Sequence, residues 1–228
     1  MMPVLKRHDF VWLTPAARER IATEISHSDS TKALRMACAF LATEIPGIVR
    51  RSAPCDIGIG LGISFPIRCE GSRLRFATSV TRDEIRTVVS PVQVIERPFE
   101  ARLKPLQALE QIKQSLPGLA GKIGIYGATA LQMLTGLAYL HDGSDLDLVI
   151  DGGTPEVLFE THRILSAIAE STGVNIDAEV ILDGIHGMKL KELVSEQKTV
   201  LAKTLHSVAL MCRRDVLQSL ALAHTARP

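Results

Sequence analysis

The chain is short of several features, and each shortage narrows what it can do. No run of about 18 apolar residues occurs, so no membrane-spanning helix is expected. Neither sign of charge is in surplus, since 26 Lys and Arg stand against 25 Asp and Glu for a formal net charge of +1. A general attraction to nucleic acid or to an anionic membrane therefore has no support, and any site for a polyanion must be local. Cysteine is sparse, and Cys38, Cys55, Cys69 and Cys212 form no CxxC pair. The opening MMPVLKRHDF carries charge where a signal peptide needs apolar residues, so a reducing cytoplasm is expected. The P-loop, GxSxG and HExxH patterns are absent. GIGLG, at 58–62, is not a GxGxxG fingerprint and has no helix expected after it, which argues against a dinucleotide site. There is no internal repeat and no low-complexity tract.

What is present is an ordinary globular composition. With 228 residues, 46% hydrophobic and 22% charged, the chain can bury a core as one large domain or two small ones. TPAARERIATEI and DSTKALRMACAFLATEI each follow a capping residue with apolar spacing near 3.6, which predicts two helices. The β-branched and Gly-rich stretch 48–80 predicts two or three strands with turns at 52–54 and 70–72. Past Pro98 strands and helices alternate: a helix over 101–116, a strand at KIGIYG, a short helix at ATALQMLTG and a strand at DLDLVID. A helix follows with Thr154 as N-cap, Pro155 in its first turn and Gly173 after its end. A strand at VNIDAEVIL, a helix at LKELVSEQKTVLAKT, a strand at SVALM and a helix at RDVLQSLALAH complete the expectation. The fold class is α+β, with an N-terminal helix and strand region over 1–97 and a mixed sheet with flanking helices over 98–228.

The chemistry concentrates in YGATALQMLTGLAYLHDGSDLDLVID, at 126–151. Residues two apart on a strand share a face, so Asp145 and Asp147 stand about 7 Å apart at Cα, close enough to share metal ions. Such a pair suits magnesium bridging the phosphates of a substrate in phosphoryl transfer. Gly127 ends a strand and opens a helix, pointing free N–H groups at an anion such as a triphosphate. NIDAEV sets Asp177 and Glu179 on one face of the next strand, where either is a third carboxylate and candidate base. Each feature has a plainer reading: Asp-x-Asp also occurs at strand ends, Gly is common in strand-to-helix turns, and alternating acids mark a solvent face. Together they favour catalysis. His141 sits three residues before the SDLDL run, and His8 and His186 are scattered; all three read as structural. Arg50, Arg51, Arg68, Arg73 and Arg75 could form a surface for phosphate or for an acidic carrier, and Lys203 could reach a phosphate from the helix expected there.

A Gly-led turn and helix, a strand with SDLDL and an acid on a later strand resemble the nucleotidyltransferase superfamily. The match is closer to one family within it. RHDFVWL, IVRR, GSRLRFATSV, LTGLAYLHDGSDLDL and NIDAEVIL, in that order, resemble the phosphoribosyl-dephospho-CoA transferases of malonate decarboxylase, also called holo-acyl-carrier-protein synthases. The resemblance implies a nucleotidyltransferase-like catalytic domain and a defined reaction. The group would pass from 2'-(5''-triphosphoribosyl)-3'-dephospho-CoA to a serine of the acyl carrier subunit, with release of pyrophosphate. It further implies that Asp145, Asp147 and Asp177 hold Mg²⁺, with Glu179 the alternative to Asp177. Gly127, Ala128, Thr129 and Ser144 would grip the donor's phosphates, with Arg73 and Lys203 in support. The superfamily's turn is usually Gly-Ser, whereas Ala128 follows Gly127 here, and Thr129 offers the nearest replacement hydroxyl. An ATP-using nucleotidyltransferase and a non-catalytic module binding the CoA derivative or the carrier are the alternatives.

Overall fold

In the computed structural model, residues 4–27, 30–53 and 56–225 are described. Asp29, at the expected start of the second helix, Pro54 of the expected turn, and Cys55 lie outside them. The residues form an α+β fold in two units that divide between Ser90 and Pro91, with Thr135–Tyr139 belonging to the first. Among the described residues no helix is long and apolar enough to cross a membrane. Cys38, Cys69 and Cys212 are free thiols.

The first unit opens with β1 (Phe10–Leu13), α1 (Pro15–Ser26) and α2 (Thr31–Ala42). Capping residues start both helices: Thr14 Oγ1 accepts from Ala17 N at 3.3 Å and Ser30 Oγ from Ala33 N at 3.1 Å. β2 (Gly47–Val49), β3 (Ile59–Cys69), β4 (Ser72–Val80) and β5 (Ile85–Val89) follow, in an antiparallel sheet of order β4-β3-β2-β1-β5. Leu61, Ile63 and Phe65, alternate residues of β3, are fully buried, as are Phe40 of α2 and Ile21 and Ile25 of α1. Arg18 is 8% exposed in this core; its guanidinium donates to the carbonyls of Phe40 and Thr43 and stands 4.5 Å from the Phe40 ring centroid. Those carbonyls are among the last of α2, which the helix itself cannot satisfy.

The second unit begins with α3 (Pro91–Ile95) and α4 (Lys104–Ser115), then β6 (Ile123–Tyr126), α5 (Gly127–Thr135), β7 (Leu146–Asp151) and α6 (Pro155–Thr172). β8 (Ile176–Leu182), β9 (His186–Lys189), α7 (Leu190–Val194), β10 (Thr199–Lys203), β11 (Val208–Cys212) and α8 (Arg213–Thr225) complete it. The sheet order is β11-β10-β9-β8-β7-β6, with β7 and β8 parallel and the other pairs antiparallel. α6 is bounded as its sequence predicts, by Thr154 accepting from Val157 N and by Gly173 at φ 68°.

One expected element takes another form. The helix expected over 190–204 is a single turn, α7, followed by the strand β10. Val200 and Ala202 are buried while Leu201 and Lys203 are not, a period of two that a helix cannot satisfy. Glu192 of α7 then accepts from Leu201 N at 2.9 Å, tying the turn to the strand. Lys203 is therefore a strand residue. β1, β5, β9 and α3 complete the architecture without having been anticipated.

Candidate active site

β6 ends at Tyr126 and α5 starts at the next residue, so the chain must reverse at Gly127, whose φ is 68°. That angle lies in the left-handed region that glycine enters at least cost. A second constraint is steric. A Cβ on Gly127 would lie 2.0 Å from Oδ2 of Asp147. Tyr126 and Asp147 are cross-strand partners, so the pairing of β6 with β7 lays the Asp147 carboxylate over the glycine. The carboxylate thereby sits at the start of a helix, beside N–H groups without partners inside it and at the positive end of its dipole. Thr129, in the first turn of α5, is fully buried, and among the described residues its hydroxyl has no hydrogen-bond partner. Leaving a buried hydroxyl unpaired costs about 1–3 kcal/mol, so the turn keeps a polar group that packing alone does not use.

Parallel pairing of β7 with β8 brings the next acid alongside. Asp147 is the register partner of Asp177, whereas Glu179 stands opposite Val149 and is 5% exposed. Glu179 is in turn the cross-strand partner of Lys189 on β9. The Lys189 Nζ donates to Asp177 Oδ2 at 2.9 Å, both side chains being about one-third exposed. That hydrogen bond raises the Lys189 pKa against a desolvation that lowers it, with the charges of Asp177, Glu192 and Glu179 adding to the rise. One face of three strands thus carries Asp147, Asp177, Glu179 and Lys189. Lys189 was missed in the sequence reading because β9 was. The signal was the Asp183-Gly184 dipeptide, which forms a type I′ turn: both residues have positive φ, and Leu182 O accepts from Ile185 N.

Asp145 is exposed in the residue before β7. Its approach is fixed by a tight turn, in which Ser144 Oγ accepts from His141 N at 3.0 Å and Ser144 N donates to His141 O at 2.9 Å. Gly143 N donates to His141 Nδ1 at 3.1 Å, so that ring nitrogen acts as an acceptor. Ser144 is buried, at 9% exposure, and serves this turn. Lys203 is the partner of Gly187, itself opposite Ile181, so it stands level with Ile181, four residues along β8 from Asp177. Arg73 lies in the first unit, where its guanidinium donates to Tyr139 O and stands 4.9 Å from the Tyr139 ring centroid. Burial, then the like charges of Arg68 and Arg75, hold the Arg73 pKa below the ordinary arginine range. Arg50 is engaged with Leu61 O, Arg51 O and Asp56, and Arg68 donates to Gly71 O.

Among the described residues no group of three His, Cys, Asp or Glu side chains is arranged to hold a metal ion. A magnesium site does not require three, since the ion is commonly held by one or two carboxylates together with substrate phosphates and water. Asp147, seated at a helix start, and Asp145, exposed two residues before it, are carboxylates of the kind that smaller requirement uses. Asp177 faces the same place with one oxygen engaged by Lys189.

An α+β sheet that sets carboxylates beside a glycine-opened helix suits group transfer, and the chain's relatives are of that class, the transferases. Residues 93–214 match the family model described as Phosphoribosyl-dephospho-CoA transferase MdcG C-terminal domain, and residues 6–91 match the corresponding N-terminal domain. The chain belongs to the phosphoribosyl-dephospho-CoA transferase family. Among its relatives, a phosphoribosyl-dephospho-CoA transferase of Pseudomonas fluorescens is 28% identical over 202 residues, covering 86% of this chain and 87% of the relative. Those of Xanthomonas euvesicatoria and Bradyrhizobium diazoefficiens are 25% and 24% identical, over 91% and 92% of this chain and 94% and 92% of theirs. No solved structure is a significant match.

Proposed function

We propose that this protein is a cytoplasmic, magnesium-dependent enzyme of the nucleotidyltransferase type. It moves the phosphoribosyl-dephospho-CoA group from 2'-(5''-triphosphoribosyl)-3'-dephospho-CoA to a serine of the malonate decarboxylase acyl carrier subunit. The observation that carries the reading is the seating of Asp147 over Gly127, with Asp177 as its cross-strand partner. Asp145 and Asp147, with Asp177 as third carboxylate, would hold magnesium, which when bound neutralises charge on the donor's phosphates and aligns the attacking and leaving oxygens. The free N–H groups of the Gly127 turn bind the departing phosphates. Asp177 takes the proton of the serine hydroxyl as its oxygen bonds to phosphorus and pyrophosphate leaves. Ser144 and the His141 turn set the approach of Asp145.

Intact-mass spectrometry of the purified carrier, incubated with enzyme, donor and magnesium, tests the proposal. One phosphoribosyl-dephospho-CoA mass added to a single serine is expected. The adduct should vanish with Asp145→Asn or Asp147→Asn while either variant melts within a few degrees of the parent. An adduct formed with ATP instead would point to a different nucleotidyltransferase, and normal turnover in either variant would overturn the metal assignment.

A further inference from the structure

Lys189 has no role in the reaction as proposed, yet it is the ammonium embedded in the acidic face. It bonds Asp177 at 2.9 Å, has Glu179 as register partner, and feels the charge of Glu192. Asp177 is also the carboxylate that stands opposite Asp147. A divalent cation drawn to Asp147 and Asp177 would meet Lys189 at the oxygen it needs, and two cations a few ångströms apart repel strongly where water is partly excluded. Lys189 thus supplies a positive charge at the oxygen a metal would need. A triphosphate can reverse that balance. Its anionic oxygens attract an ammonium on a flexible four-carbon stem, and a lysine drawn to phosphate leaves Asp177 open.

We propose that Lys189 is a positioning residue that keeps Asp177 from divalent metal until a triphosphate-bearing donor draws the ammonium away, so that metal and donor bind cooperatively. This rests on the carboxylate metal site proposed above. The test is Mn²⁺ binding to the full-length protein without donor, read as free Mn²⁺ by electron paramagnetic resonance, for the parent, Lys189→Met and Lys189→Arg. Lys189→Met should bind Mn²⁺ about tenfold more tightly or better, the scale expected from removing one nearby positive charge. Lys189→Arg, which keeps the charge, should bind as weakly as the parent. Measurable but equal affinity in all three overturns the role of Lys189 and leaves the metal site standing. Equal tightening in both variants overturns it as well, because charge would then not be the cause. No Mn²⁺ binding by any of the three overturns the metal site and this proposal together.

Discussion

The two sheets spend their charged residues differently. In the antiparallel first sheet and its helices, three arginines are engaged by the backbone, Arg18 by the end of α2, Arg50 by Leu61 and Arg51, and Arg73 by Tyr139, while Arg20, Lys32, Arg50 and Arg86 each pair with a carboxylate. In the second, charge collects at the parallel pair β7–β8 and the strand beside it, where Asp147, Asp177, Glu179 and Lys189 share one face. A cation donating to carbonyls satisfies groups that the fold itself leaves unpaired, and so serves structure. Carboxylates set side by side repel unless something compensates, and here Lys189 offsets part of that cost from the neighbouring strand. The contrast separates the unit in which charge loss should appear in stability from the one in which it should appear in the rate.

Apart from loss of the Asp145 or Asp147 carboxylate, replacing Gly127 with Ala should produce the largest effect. The added methyl would fall on the Asp147 carboxylate and demand a left-handed backbone of alanine, so Asp147 must move. Displacing a catalytic group by about 1 Å costs roughly 10²-fold in rate, and pyrophosphate release with donor and carrier should fall by at least that much. A variant that kept its rate would remove the distinction between the two units.

A smaller effect is expected from Arg73→Met. It removes a hydrogen bond to Tyr139 O and a cation–π contact, together worth about 1–2 kcal/mol. Denaturant unfolding should register that loss while the Michaelis constant for donor stays near the parent's. A raised Michaelis constant with unchanged stability would move Arg73 to the binding side of the comparison.

The smallest effect concerns Asp9, at 5% exposure, whose carboxylate accepts from Lys6 N at 2.7 Å. Burial raises its pKa from 3.8 to about 6, against the opposing effect of Lys6. The folded state therefore holds this proton more tightly than the unfolded chain. Its contribution to stability is fully present below about pH 3.8 and is lost as pH rises through about 6. Asp9→Asn keeps an oxygen acceptor and removes the charge. Melting curves at pH 4 and pH 8 should show the variant gaining on the parent only at pH 8, and an equal difference at both would exclude ionisation as the cause.

Much of the architecture was legible because its signals are local. Capping residues and a Pro in the first turn outlined α1 and α6, a terminal Gly closed α6, and the alternation in DLDLVID marked β7. LKELVSEQKTVLAKT was misread because its apolar residues satisfy a helical and an extended period alike over so short a span. Only the packing of Val200 and Ala202 against the core selected the strand. β9 escaped because four residues, HGMK, carry little pattern of their own, and its pairing to β8 depends on the turn at Asp183-Gly184.

The sequence by itself determined the α+β class, the Gly127 turn, and the acids at 145, 147, 177 and 179, because turn chemistry and side-chain alternation act over a few residues. Asp177 and Glu179 were equivalent at that level, each an acid between apolar neighbours on the same face of one strand. Tertiary structure separated them, since the register of β8 against β7 sets Asp177 opposite Asp147 and Glu179 opposite Val149. It also supplied Lys189, twelve residues from Asp177 in the chain and 2.9 Å from it in space. Register is fixed by pairing and packing between strands far apart in sequence, and such contacts leave no periodic trace in either strand alone.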